Sequence, residues 1–361
     1  MDIKMVDLSG QYQRIKAEID QAIQAVIYST AFIQGKEVKE FSTALSSYLG
    51  GAGVVPCANG TDALQIAMMA LNLKPGDEVI LPVHTYVATA EVIALLGLTP
   101  VFVDVYADTF NIDVSQVESK ITKRTKAIVP VHLYGQCADM DPLMGIAKSF
   151  NLKVIEDAAQ SIGATYKNIA SGTIGDAGTT SFFPTKNLGC FGDGGAAISR
   201  DPELAERMRM IANHGQKQKY HHELVGVNSR LDTVQAAVLN VKLKYLGEYQ
   251  RKRNEAASYY DKHLDEVIIP TRAKNSTHVF HQYTIKAQRR DELKVYLQSK
   301  GIPSIIYYPV PLHKQKAYQQ DAAFPVTERL SKEVLSLPMH TELTEEQLDY
   351  ICKTVISFYR G

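Results

Sequence analysis

Apolar residues recur at three- and four-residue spacing across residues 11 to 28, placing Ile15, Ile19, Ile23 and Val26 on one helical face. The chain therefore opens with a packing helix. From there to about residue 200, short apolar runs alternate with amphipathic stretches: GVVPCA (53–58), EVILP (78–82), PVFVDV (100–105), KAIVPVHL (126–133), KVIEDA (153–158), TTSFF (179–183) and GAAIS (195–199). Runs without polar alternation suit strands buried on both faces, so the pattern predicts an α/β fold. Its central sheet is expected to be mostly parallel, with helices on both faces. The cap-forming residues Asn59-Gly60-Thr61-Asp62 precede ALQIAMMALNL and predict a helix start at a strand end, closed by the turn Lys74-Pro75-Gly76-Asp77. Residues 232–263 carry a long helical pattern expected to bridge two units. After it, HVFHQYTIKA and GIPSIIYYPVP read as strands flanking a helix at DELKVYLQSK, and LTEEQLDYICKTVISFYR reads as a closing amphipathic helix. The expected division is a large domain over 1–245 and a smaller C-terminal α+β domain over 246–361.

The 361 residues supply material for roughly two to three domains. Lys plus Arg and Asp plus Glu both number 39, so no global positive field draws the chain to nucleic acid or to an anionic membrane. The N-terminus MDIKMVDLSGQYQRIK lacks a signal-like apolar core, and no later segment is long and apolar enough to span a bilayer. A cytoplasmic protein is expected. Cys57, Cys137, Cys190 and Cys352 form no C-x-x-C pair and are expected as buried thiols. The adjacent His221 and His222 do not share a helix face, and His132, His214 and His313 lack a companion at ligand spacing, so no metal site is expected.

Loops after strands are where ligands collect in an open α/β sheet. Two of them carry chemistry. In Val154-Ile155-Glu156-Asp157-Ala158-Ala159-Gln160-Ser161 an apolar strand ends in an acid, and in Ser181-Phe182-Phe183-Pro184-Thr185-Lys186-Asn187-Leu188-Gly189 a lysine follows a strand into a Gly-rich loop. A pocketed lysine can lose its proton and form a Schiff base, while an aspartate can hold a pyridine nitrogen protonated; together these define a pyridoxal phosphate site. Asn59-Gly60-Thr61 offers backbone N–H groups at the positive end of a helix dipole for the phosphate, and Ser181 adds a hydroxyl. A plain helix cap would explain Asn59-Gly60-Thr61 equally well when taken alone.

The ordered set CANGTDAL, TYVATAE, HLYGQCADMD, IEDAAQSIGA, SFFPTKNLGCFGDGG, NHG, GVNSRLDTVQAA and YYPVPLHKQ resembles the sugar aminotransferases of the DegT/StrS family over nearly the whole chain. The resemblance implies a type I aminotransferase fold, pyridoxal 5'-phosphate as cofactor, and a homodimer with shared active sites. It implies Lys186 as the Schiff-base and proton-transfer lysine, Asp157 as partner of the pyridinium nitrogen, and Gln160 beside the ring's phenolic oxygen. Tyr86 is implied as the aromatic ring over the cofactor, Gly60, Thr61 and Ser181 as phosphate contacts, and Asn228 as a phosphate contact donated by the neighbouring subunit. Related dehydrating enzymes replace the lysine by histidine, so Lys186 implies amino transfer.

Within the family, HGQKQKYHHELVGVNSRLDTVQAA is most similar to members that aminate carbon 3 of UDP-2-acetamido-2-deoxy-3-oxo-glucuronate with L-glutamate as donor. Arg230 would then meet a carboxylate, of the hexuronate or of the amino donor. Tyr307 stands where relatives often carry histidine, next to Tyr308, and Phe32 stands near the expected nucleotide-sugar entrance. A dTDP-linked 3-oxo- or 4-oxo-6-deoxyhexose is the alternative substrate, and a non-catalytic regulatory protein the alternative class.

Overall fold

The computed structural model describes residues 2–361. Strands β1 (Gly53–Cys57), β2 (Glu78–Pro82), β3 (Thr99–Val103), β4 (Thr125–Ile128), β5 (Lys153–Asp157), β6 (Ala177–Ser181) and β7 (Gly195–Ser199) form one seven-stranded sheet in the order β1-β7-β6-β5-β4-β2-β3. From β6 to β3 all neighbours are parallel, as the unalternated apolar runs predict; Val79, Ile80 and Leu81 of β2 are wholly buried. GAAIS departs from that expectation, because β7 runs antiparallel to both β6 and β1. The connection from Phe182 to Gly194 contains no helix, and a parallel return needs a crossover that is usually helical.

Helix Gly60–Ala70 lies beneath the sheet with Ala63, Leu64, Ile66, Ala67 and Met68 in the main core. On the other side, helices Leu8–Ser29 and Lys36–Tyr48 pack against helix Thr233–Leu243. The helical pattern of 232–263 is two helices, Thr233–Leu243 and Leu246–His263. The break is a tight turn in which the Lys244 and Tyr245 N–H groups bond the carbonyls three residues back.

A second core gathers Tyr260, Phe280, Tyr283, Leu293, Leu335, Leu337 and Ile351, and it also takes in Ile3 from the N-terminal end. Its strands are Tyr283–Lys286 and Val334–Leu337, paired antiparallel. The expected strand at GIPSIIYYPVP is absent: only Ile305 makes a bridge, to Ser336. Pro303, Pro309 and Pro311 remove ladder donors from that stretch, and residues 306–308 instead pack against Tyr134, Val105 and Phe110 of the large sheet's loops.

Glu156, one residue before the end of β5, is fully buried. It accepts bonds from the Gly172, Ile174 and Gly175 N–H groups at 2.9, 2.6 and 2.8 Å, and its other partner is His132 Nε2 at 2.8 Å. It therefore fixes the loop before β6 and the end of β5 together. Glu156→Gln brings two N–H donors into a site built of N–H groups. It should lower the unfolding free energy by roughly 3–5 kcal/mol in a urea titration, the range for breaking a buried charged network.

Candidate active site

Asp157 closes β5 and is 6% exposed at the carboxyl ends of the parallel strands. Its Oδ2 accepts the Thr89 hydroxyl at 2.7 Å and its Oδ1 accepts the Ala159 N–H at 3.1 Å, so the carboxylate is held at a fixed height in the crevice. Lys186 lies in the turn after β6, where its N–H donates to the Phe183 carbonyl at 2.8 Å. Its ammonium is pushed down to about 8 by burial, against the opposing attraction of Asp157. An amine in that range is roughly one-tenth free base at pH 7, over a hundred times the fraction of an ordinary lysine.

Helix Gly60–Ala70 begins beside the end of β6. Asn59 caps it through the Asp62 N–H at 2.8 Å, and among the described residues the Gly60 and Thr61 N–H groups keep no partner. A Cβ on Gly60 would come within 2.8 Å of Ser181 Cβ, and one on Gly195 within 2.3 Å of the Asn59 backbone. Glycine at these two positions is what lets the helix start, Ser181 and β7 close around one small polar cradle. The Ser181 hydroxyl accepts the Phe183 N–H at 3.3 Å and keeps its own hydrogen free. Two donor N–H groups, a hydroxyl and a helix dipole are the chemistry a phosphate group needs.

Gln160 is turned by two bonds: its Oε1 accepts the Tyr134 N–H at 2.8 Å and its Nε2 donates to the Tyr308 hydroxyl at 3.3 Å. Tyr86 is 58% exposed, with its ring centroid 6.1 Å from that of Tyr308. Tyr307 enters through its backbone, whose carbonyl accepts the Tyr134 hydroxyl. The structure thus brings Lys186, Asp157, Gln160, Ser181, Gly60, Thr61, Tyr86, Tyr307 and Tyr308 to one end of the sheet.

Three other predicted residues share no hydrogen bond with this cluster, although Ser229, between two of them, accepts the Ala58 N–H at 3.0 Å beside the cradle. Arg230 lines a cleft of about 560 Å³ with Gln34, Gly35, Lys39, Arg209 and Asn213, and its Nη2 meets His214 Nε2 at 3.3 Å. Asn228 is exposed and joined to Asn213 by a backbone bridge. Phe32 is 47% exposed; its N–H donates to the Thr30 carbonyl at 3.0 Å and its carbonyl accepts the Thr233 N–H at 3.0 Å.

The DegT/DnrJ/EryC1/StrS aminotransferase family matches residues 13–356. The chain belongs to that family. It is 48% identical to the UDP-2-acetamido-2-deoxy-3-oxo-D-glucuronate aminotransferase of Pseudomonas aeruginosa, over 97% of this chain and 98% of that one. It is 47% identical to a protein of Geobacillus stearothermophilus named pleiotropic regulatory protein, over 100% of this chain and 99% of that one. The solved structure of DesV from S. venezuelae, in complex with a ketimine intermediate, superposes with a TM-score of 0.96 at 40% identity, covering 100% of this chain and 99% of that one. The type I aminotransferase architecture and the transaminase class expected from the motifs are those of this family.

Family motifs concealed several site residues that the fold brings in. Thr89 sits inside TYVATAE and Tyr134 inside HLYGQCADMD; the quoted motifs held both, but nothing local said that one bonds Asp157 and the other orients Gln160. His84 is fully enclosed, with Nε2 3.2 Å from the Tyr134 hydroxyl, and burial pushes its imidazole down to about 4. His281, beside Lys186 and Arg253, is held well below its ordinary range by burial first and by those two cations second. His132, read as lacking a companion at metal-ligand spacing, pairs instead with the buried Glu156. No group of His, Cys, Asp and Glu among the described residues has metal-ligand geometry, and none of the helices is long and apolar enough to cross a membrane.

Proposed function

We propose that this chain transfers an amino group from L-glutamate to carbon 3 of UDP-2-acetamido-2-deoxy-3-oxo-glucuronate, with pyridoxal 5'-phosphate as cofactor. The observation that carries the reading is the Lys186–Asp157 pair: an amine whose proton affinity burial lowers, in the same crevice as a fixed carboxylate. When bound, the cofactor supplies an aldehyde carbon that carries nitrogen and a ring that stores the electrons of a broken carbon–hydrogen bond. Lys186 would hold that carbon and, once displaced, take the proton from the donor's α-carbon and return one to the sugar carbon. Asp157, fixed by Thr89 and Ala159, would hold the ring nitrogen protonated. Gly60, Thr61 and Ser181 would hold the phosphate, Gln160 would face the phenolic oxygen, and Tyr86 would cover the ring.

The exposed Asn228 would reach the phosphate of a second copy, which makes a homodimer the working unit. Arg230 supplies a planar fork for the uronate carboxylate, with Phe32, Tyr307 and Tyr308 toward the nucleotide sugar. The 1–245 and 246–361 domains would meet at the crevice through Tyr307 and Tyr308, with Ile3 belonging to the smaller one. Four buried free thiols suit a reducing compartment, the cytoplasm.

The visible absorption spectrum of the purified protein tests cofactor and donor together. A lysine-bound cofactor band that L-glutamate alone bleaches is expected; no band after incubation with the cofactor would overturn the reading. For the sugar, Arg230→Ala should lower kcat/KM for the UDP-uronate ketone by about 10- to 100-fold, the value of a charge-assisted bond, and leave dTDP-deoxyhexose ketones unchanged. Equal loss on both ketones would favour a structural role for Arg230. The name of the Geobacillus relative favours a second reading, a regulatory protein without turnover. Sequence-specific DNA binding at physiological salt by a protein that takes up no cofactor would establish it.

A further inference from the structure

Lys242 is a buried charge that the proposed chemistry leaves unused. It stands near the end of helix Thr233–Leu243, is 2% exposed, and has no carboxylate within ion-pair distance among the described residues. An ammonium taken out of water without a counter-charge is expensive, so its contacts matter. Its Nζ donates to the Gly189 carbonyl at 2.7 Å and lies 4.9 Å from the centroid of the Phe191 ring. Among the described residues no other donor reaches the Gly189 carbonyl. Gly189 and Phe191 stand three and five residues beyond Lys186.

The same helix holds the same loop at a second point. Gln235 Oε1 accepts the Phe191 N–H at 2.8 Å. The loop is also close-packed: a Cβ on Gly189 would meet the loop's own Pro184 carbonyl oxygen at 2.4 Å, and one on Gly194 would meet Leu231, just before that helix, at 3.0 Å. The Cys190 N–H donates to the Phe182 carbonyl at 2.8 Å. The loop is thus clamped between β6 and one helix, and the two polar contacts of the clamp on the helix side are Lys242 and Gln235.

We propose that Lys242 and Gln235 are positioning residues that set the height of the Lys186-bearing loop over the crevice, and with it the separation of the Lys186 amine from Asp157. The inference rests on the aminotransferase reading and deepens it. The Lys186 proton affinity is a balance between burial, which lowers it, and Asp157, which raises it, with His281 the other titratable group beside it. A loop that loses its clamp shifts that balance, whereas a side chain that only supports the core would change stability and leave the balance where it is.

Three forms of the holoenzyme test this: wild type, Lys242→Met and Gln235→Leu, each checked for folding by circular dichroism. Each is freed of cofactor and its rate of forming the lysine-bound band with added pyridoxal 5'-phosphate is followed against pH for a midpoint; the reloaded protein is then mixed with L-glutamate alone to time the loss of that band. Both variants should show a midpoint displaced by half a pH unit or more. The glutamate-driven rate should fall about tenfold, and the glutamate concentration for half-maximal rate should stay within threefold of wild type. Should Lys242→Met fail to fold, Gln235→Leu, which frees only the N–H of the 41% exposed Phe191, carries the same prediction. Variants that lose thermal stability but keep the wild-type midpoint and rate overturn the proposal while leaving the aminotransferase reading intact. A wild type with no cofactor band overturns the reading itself and this proposal with it.

Discussion

Lys186→Ala should give a protein that folds and no longer turns over. Among the described residues the Lys186 amine makes no hydrogen bond; what it has is burial that disfavours its charge and a partial offset from Asp157. Removing it relieves a desolvated cation, so the unfolding free energy should stay within about 1 kcal/mol of wild type. Turnover loses two functions at once. Positioned proton transfer contributes about 10²–10⁴ in rate, and in the proposed reaction the amine would also be the nucleophile that holds the cofactor's carbon between half-reactions. A combined loss of about 10⁴ or more is expected in steady-state assays with L-glutamate and the keto sugar. Wild-type-like turnover would sink the assignment of Lys186.

Local pattern carried much of this site because its parts are short segments at strand ends. Asp157 and Lys186 each follow an apolar run, and a polar residue at that place points into the crevice whatever the rest of the fold does. The Asn59-Gly60-Thr61 helix start was legible for the same reason, since capping is a matter of neighbouring residues. Pairings across the chain were not legible. Thr89 and Asp157 are 68 residues apart, Tyr134 and Tyr307 are 173 apart, and no periodicity in either segment names the other.

The errors have the same origin. GIPSIIYYPVP has the apolar character of a strand, but its prolines spoil a ladder, and the strand that pairs with Tyr283–Lys286 is VLSL, hidden at the end of a helical pattern. The antiparallel course of GAAIS depends on what the preceding loop does, and that loop is bound by Lys242 from a helix about fifty residues later in the chain. Composition could show that Lys242 is a lysine; only packing shows that it is buried.

Asp157→Asn separates the two effects of the carboxylate by the sign of a pH shift. The fold should survive: an asparagine oxygen can keep the Ala159 N–H, and its amide can donate to the Thr89 hydroxyl, which rotates to accept. The negative charge is gone, so the ring nitrogen would lose the charge-assisted bond proposed for it and kcat should fall by about 10²-fold or more, on the order of 3 kcal/mol. Lys186 responds in the opposite sense to what a simple loss of function suggests. Asp157 raises the proton affinity of Lys186, so removing its charge leaves burial unopposed and carries the amine below its wild-type position of about 8. In the cofactor-free protein, the rate at which added pyridoxal 5'-phosphate forms its lysine-bound band depends on the fraction of Lys186 that is free base. That rate should rise with pH through a midpoint near 8 in wild type and through a lower midpoint in Asp157→Asn, giving faster capture at neutral pH by an enzyme that turns over more slowly. A midpoint that stays in place or moves up would mean that Asp157 and Lys186 are not electrostatically coupled, and the pair could then no longer carry the reading.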